Sequence, residues 1–314
     1  MNINQLRELH SIPERVEFET WRDFSPAVRL RAADSEMLVS LYGGQLLSCR
    51  IGQQDLFWLS PCPFTEIGKA IRGGVPILFP WFGPSLVNDD HPSHGFARTS
   101  FFKVNSTSTT ELTTTLELSL SDSEESLKLW PYRFELTVRF KLGLDISGSM
   151  DNQKGASVEL EVKNTAEEAF SWSGGLHSYF SVANARNSTV DVPSQRYFDN
   201  LSKQIQDEQR QVVSFAEEVD RVYLQGKSES GLNDSDGNRE LKVKHSGHDS
   251  VVVWNPGPGS KKSDMPSSEE FICVETTCGA AERVIEKLPK LKPGQTAALS
   301  FTSWIFGTKK ACLG

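Results

Sequence analysis

Four side chains in this sequence combine the right chemistry with unusual surroundings. Glu275 follows the apolar run Phe271-Ile272-Cys273-Val274, and alternation along it puts Cys273 and Glu275 on one face and Ile272 and Val274 on the other. Partial burial there raises a carboxyl pKa and makes the group a proton acceptor near neutrality. The competing reading is a strand-end glutamate paired with a surface lysine or arginine. His177 lies in SGGLHSYFSV, where glycines allow close backbone approach or positive φ and aromatic rings can wall a pocket. Imidazole is the natural proton donor near neutral pH, although a core histidine satisfied by one carbonyl fits the same context. Arg72, in IRGGVPILFPWFG, and Arg98, in HPSHGFAR, sit among glycine and aromatic residues instead of other charges. Two guanidinium forks in one pocket would grip an oxyanion from two sides. Stacking on Trp81 or Phe96, or bonds to backbone carbonyls, would occupy either arginine without a ligand.

Strict period-two alternation dominates the segments that must position these groups. In FELTVRFKL, residues 134–142, Phe134, Leu136, Val138, Phe140 and Leu142 share one face. SVELEVKN and TLELSLS repeat the pattern, and ELKVKHS, STVDV and ALSFTSW are shorter versions. Helical periodicity is confined to NQLRELHSI and SEESLKLW, and no strand–helix–strand rhythm recurs. These signals predict an all-β chain, a large antiparallel sandwich or barrel with few short helices. Residues 228–240 and 257–270 have the Gly, Asn, Asp, Ser and Pro content of turns or surface loops. No repeat or linker divides the 314 residues, so one domain is expected, with its core over about residues 25–308.

The net charge of −8, without a run of basic residues beyond Lys261-Lys262 and Lys309-Lys310, argues against nucleic acid or an anionic membrane as partner. The N-terminal segment lacks a signal-peptide pattern, so a cytoplasmic location is the default expectation, and nothing in the sequence demands more than a monomer. Cys49, Cys62, Cys273, Cys278 and Cys312 form no Cys-x-x-Cys pair, which predicts reduced thiols, mostly buried. No histidine stands at ligand spacing from Cys273 and Cys278, so neither metal nor other cofactor is expected. Gly-x-Ser-x-Gly and P-loop signatures are absent.

Six blocks in order, KAIRGGVPILFPWFGP, HGFAR, LHSYFSV, VDRVYL, VVWNPGP and FICVET, resemble the D-hexose-6-phosphate mutarotases, or glucose-6-phosphate 1-epimerases, of the aldose 1-epimerase superfamily. The likeness runs from about Gly43 to about Phe306. It implies a galactose mutarotase-like supersandwich and an isomerase acting on a phosphorylated hexose without a cofactor. His177 then matches the general acid, Glu275 the general base, and Arg72 and Arg98 the arginines around the phosphate. The same likeness makes Asp199, in RYFDN, the aspartate that binds sugar hydroxyls, and adds Ser93, His94 and Trp254 to the substrate contacts. An uncharged aldose would leave both arginines without a task. A noncatalytic sugar-binding module would leave the acid and base without one.

Overall fold

The computed structural model describes residues 2–144, 153–192, 194–207, 212–224, 228–282 and 287–308, the side chains of 306–308 excepted. Its described elements are overwhelmingly antiparallel strands, with two short α-helices, Ile3–His10 and Glu124–Leu129, at the two predicted helical segments. Each helix opens on a capping box: Asn2 with Gln5 in the first and Ser123 with Ser126 in the second. These reciprocal bonds satisfy amide donors that a first helical turn leaves unpaired.

Residues 16–55 form a five-stranded meander. The nine-stranded sheet is built around Thr113–Ser121, Phe134–Leu144, Lys154–Asn164 and Thr296–Thr308, adjacent and antiparallel in the order they would be reached across the sheet. Phe134–Leu144 shows why alternation was informative: its five alternate apolar side chains are buried, while the intervening polar ones keep partial access to water. One apolar cluster extends from Leu6 to Phe301 and joins strands of the meander to both larger sheets.

The eight-stranded sheet carries the chemistry. Its order is Gln204–Asp207, Arg196–Asp199, Val219–Leu224, Ser250–Asn255, Phe271–Cys278, Gly174–Leu176 and Ile77–Leu78, and Tyr179–Ser181 also pairs with Phe271–Cys278. Phe271–Cys278 therefore lies between neighbours on both edges, and seven of its eight residues are buried. An ionisable side chain in such a strand must find its partners within the protein.

Residues 228–240 depart from the expected loop. Glu229–Asp234 is a strand paired with Arg239–Ser246, and only the connection between them is a turn. Its inward positions are Ser230, Leu232 and Asp234, so two of the three are polar. Ser230 bonds His245 Nε2 at 3.0 Å, and Asp234 pairs with Arg239 at 3.0 Å. Satisfied polar groups replace the apolar signal that sequence patterning requires. Residues 257–270 form an irregular connection, as expected. Cys49 and Cys273 are buried free thiols, Cys278 is half-buried and Cys62 exposed, while Lys309, Lys310 and Cys312 lie outside the described residues. Among the described residues no helix is long and apolar enough to cross a membrane.

Candidate active site

Glu275 is held at mid-strand, 2 % exposed, opposite Val252 of the neighbouring strand. On the other edge, Leu176 faces Thr276 and Tyr179 faces Cys273. The register is the same on both sides of the interruption, which puts His177 opposite Glu275. Their Nδ1 and Oε1 atoms are 3.1 Å apart. The glycines before His177 serve close approach: a Cβ on Gly174 would stand 2.2 Å from the Leu78 carbonyl oxygen. Positive φ, the alternative use, is found at neither Gly174 nor Gly175.

Arg72 reaches the same region from the other end of the chain. Gly74, two residues on, has φ +63, and a Cβ there would lie 2.0 Å from the Leu46 carbonyl oxygen, so only glycine lets the chain pass so close. Arg72 Nε donates to Asp264 Oδ2 at 2.7 Å, and its Nη1 approaches the Tyr179 hydroxyl at 3.5 Å. Arg98 occupies a short 3-10 turn, and its Nη2 donates to the Ser93 carbonyl at 2.6 Å. Among the described residues Arg98 makes no ion pair and neither arginine stacks on an aromatic face.

These groups open on one cavity of about 590 Å³. Its wall contains Arg72, Ser93, His94, Arg98, His177, Trp254 and Glu275, seven of the eight residues expected from sequence. Asp199 does not line it. Its Oδ1 accepts the Leu201 amide at 2.8 Å and caps the turn after Arg196–Asp199. Sequence reasoning missed two cavity carboxylates, Glu282 and Asp220, and Asp220 pairs across the sheet with Trp254 and accepts a hydrogen bond from Asn200 Nδ2 at 2.7 Å. Asp220 belongs to VDRVYL, one of the blocks carrying the family resemblance, so that signal was present. Tyr179, Lys203 and Lys262 also line the cavity without having been singled out. Of the aromatics after Arg72, Phe82 reaches the cavity, whereas Phe79 is fully buried and Trp81 stacks on His91.

Burial, reinforced by the Asp220 carboxylate, pushes Glu275 well above the ordinary carboxyl range, with Arg98 opposing. Burial also holds His177 well below the ordinary imidazole value, assisted by His94, Arg98 and Arg72. Both shifts have burial as their first cause and favour the uncharged form of each group. His94 is lowered to about 3 by burial and then by Arg98 and Arg72. Its Nδ1 accepts the Gly83 amide at 3.1 Å, which identifies the neutral tautomer with the proton on Nε2.

Residues 26–302 match the family model described as aldose 1-epimerase. A Salmonella typhimurium protein named "Putative glucose-6-phosphate 1-epimerase" is 35% identical over 261 residues, covering 80% of this chain and 82% of that protein. An Escherichia coli protein of the same name is 34% identical over 268 residues, covering 82% and 84%. The solved structure of a "putative mutarotase" from Salmonella typhimurium superposes with a TM-score of 0.80 at 28% identity, covering 96% of this chain and 98% of that one.

Proposed function

The chain belongs to the aldose 1-epimerase family, and from that premise we propose that it interconverts the α and β anomers of a hexose 6-phosphate, with glucose 6-phosphate as substrate. The relatives' names supply that sugar. The observation that carries the reading is the 3.1 Å approach of His177 and Glu275 in a cavity whose wall also includes Arg72 and Arg98. An acid, a base and two cations converge there on a space of sugar-phosphate size.

In the proposed reaction Glu275 takes the proton of the C1 hydroxyl while His177 protonates the ring oxygen. The C1–O5 bond breaks and C1 becomes a carbonyl. Rotation about C1–C2 presents its other face, and closure reverses both transfers. The chemistry needs a carboxylate and an imidazolium, which together hold the same single proton as the neutral pair. Substrate binding then has to move one proton from the carboxyl to the imidazole, whose Nδ1 stands 3.1 Å from Oε1. A positioned acid or base contributes about 10²- to 10⁴-fold each.

Arg72 and Arg98 bind the phosphate in this scheme, Arg72 with its fork oriented by Asp264. Ser93 and His94 contact the sugar from the segment beside Arg98, and Trp254 provides a wall. Asp220, in place of Asp199, accepts the sugar-hydroxyl hydrogen bonds. This assignment answers why a cation stands beside the rigid, apolar stretch after Arg72: a ligand carrying nearly two negative charges must be attracted locally by an acidic protein.

Two-dimensional exchange NMR over glucose, galactose and mannose, each with and without the 6-phosphate, tests the proposal. Faster anomer exchange is expected for phosphorylated sugar, glucose 6-phosphate above all. Exchange no faster than in buffer across the panel would remove the proposed activity.

A further inference from the structure

Cys273 and Glu275 are two residues apart in Phe271–Cys278 and leave the same face of the strand, while His177 faces Glu275 from the adjacent strand. One ligand atom from each of His177, Cys273 and Glu275 can be chosen so that all three lie within 4.8 Å of one another. His177 Nδ1 and Glu275 Oε2 have no hydrogen-bond partner, although their residues are only 8% and 2% exposed. Buried polar atoms left in this way call for a physical explanation, a bound ion among the candidates.

We propose that His177, Cys273 and Glu275 form an inhibitory binding site for a thiophilic divalent cation, Zn²⁺ in the first instance. Nitrogen, sulfur and oxygen donors are the set zinc takes, and the sulfur disfavours magnesium and calcium. One thiolate and one carboxylate cancel the two positive charges, so the occupied site is neutral in surroundings that penalise net charge. Arg72 is already balanced by Asp264. Ligand atoms around a tetrahedral zinc stand about 3.5 Å apart, so side-chain rotations drawing the trio together by about 1 Å complete three positions. The fourth faces the cavity, which His177 and Glu275 line. Metal there removes the acid–base pair from use. The inhibition rests on the proposed catalytic roles, whereas the binding does not.

The full chain, stripped with chelator, is titrated with Co²⁺ in the absence of sugar. A thiolate-to-cobalt absorption band in the near ultraviolet should saturate at one equivalent and fall when Zn²⁺ or glucose 6-phosphate is added. Cys273→Ser and Cys273→Ala should abolish the band, and Cys62→Ser, at an exposed thiol, should keep it. In the exchange assay Zn²⁺ should inhibit reversibly, while Cys273→Ser retains the metal-free rate and needs at least about 10-fold more zinc for half-inhibition. A band that survives loss of Cys273, a band lost with Cys62, or a rate raised by zinc overturns the proposal. Failure of wild-type protein to give a thiolate-to-cobalt band does so without any variant. A chain with no epimerase activity but an intact, Cys273-dependent band would instead sink the functional reading and leave the metal site standing.

Discussion

Arg98→Ala separates phosphate recognition from chemistry more cleanly than removal of Arg72. Arg72 is bound to Asp264, itself 4% exposed, so deleting it strands a buried carboxylate, a change that costs about 3–5 kcal/mol of stability. Arg98 donates only to the Ser93 carbonyl among the described residues, and its loss strands no partner charge. The variant should remain folded. One charge-assisted hydrogen bond to phosphate is worth about 1.5–3 kcal/mol, which at about 1.4 kcal/mol per decade becomes a 10- to 150-fold fall in kcat/KM for glucose 6-phosphate. Exchange of unphosphorylated glucose, measured by the same NMR method at the same sugar concentration, should be nearly unchanged. Arg98→Lys should fall between, because it keeps the charge and loses the planar fork. Equal losses for glucose and its phosphate would refute the reasoning, since Arg98 would then be serving the reaction or the fold. So would an undiminished rate with the phosphate.

Glu275→Gln and His177→Asn should each lower kcat by about 10²- to 10⁴-fold with little change in KM, measured by exchange NMR on protein whose folding is verified by circular dichroism. His94, held at about 3 in the folded protein against an ordinary value of 6.5, contributes stability that is complete above 6.5 and lost as pH falls from there toward 3. His94→Asn, which tolerates the left-handed φ of +62 at that position, should therefore flatten the acid side of a melting temperature–pH curve, and an unchanged slope would count against the assignment. Gly95→Ala should be severe: φ is +71 and the new Cβ would lie 2.0 Å from the Phe79 carbonyl oxygen. A loss of at least about 3 kcal/mol, or about 4–5 °C in Tm for a chain of this size, is expected by calorimetry.

Strand identity was legible wherever one face is apolar. Phe134–Leu144 and Lys154–Asn164 alternate because one side of the sheet packs on the core and the other meets water, and that physical asymmetry is written directly into residue order. Glu229–Asp234 was illegible because polar Ser230 and Asp234 take two of its three inward positions, satisfied by His245 on the paired strand and by Arg239 across the turn, so no apolar alternation marks it. The types of the catalytic candidates could be read locally, since glutamate after an apolar run and histidine after paired glycines are unusual. The directions of their pKa shifts could not: they follow from burial and from Asp220, His94, Arg98 and Arg72, all brought close by chain packing.

The same limit explains Asp199 and Asp220. Each is a strand aspartate, but Asp199 ends its strand and caps the following turn, while Asp220 lies beside Trp254 on the cavity wall. It also explains why Cys273 suggested no metal. The spacing test searches for ligands along the chain, and His177 meets Cys273 only through antiparallel pairing of distant segments. Local order is set by side-chain polarity and backbone preference, so residue order carries it. Which charges meet is set by strand register and sheet packing, long-range geometry that exists only once the chain has folded.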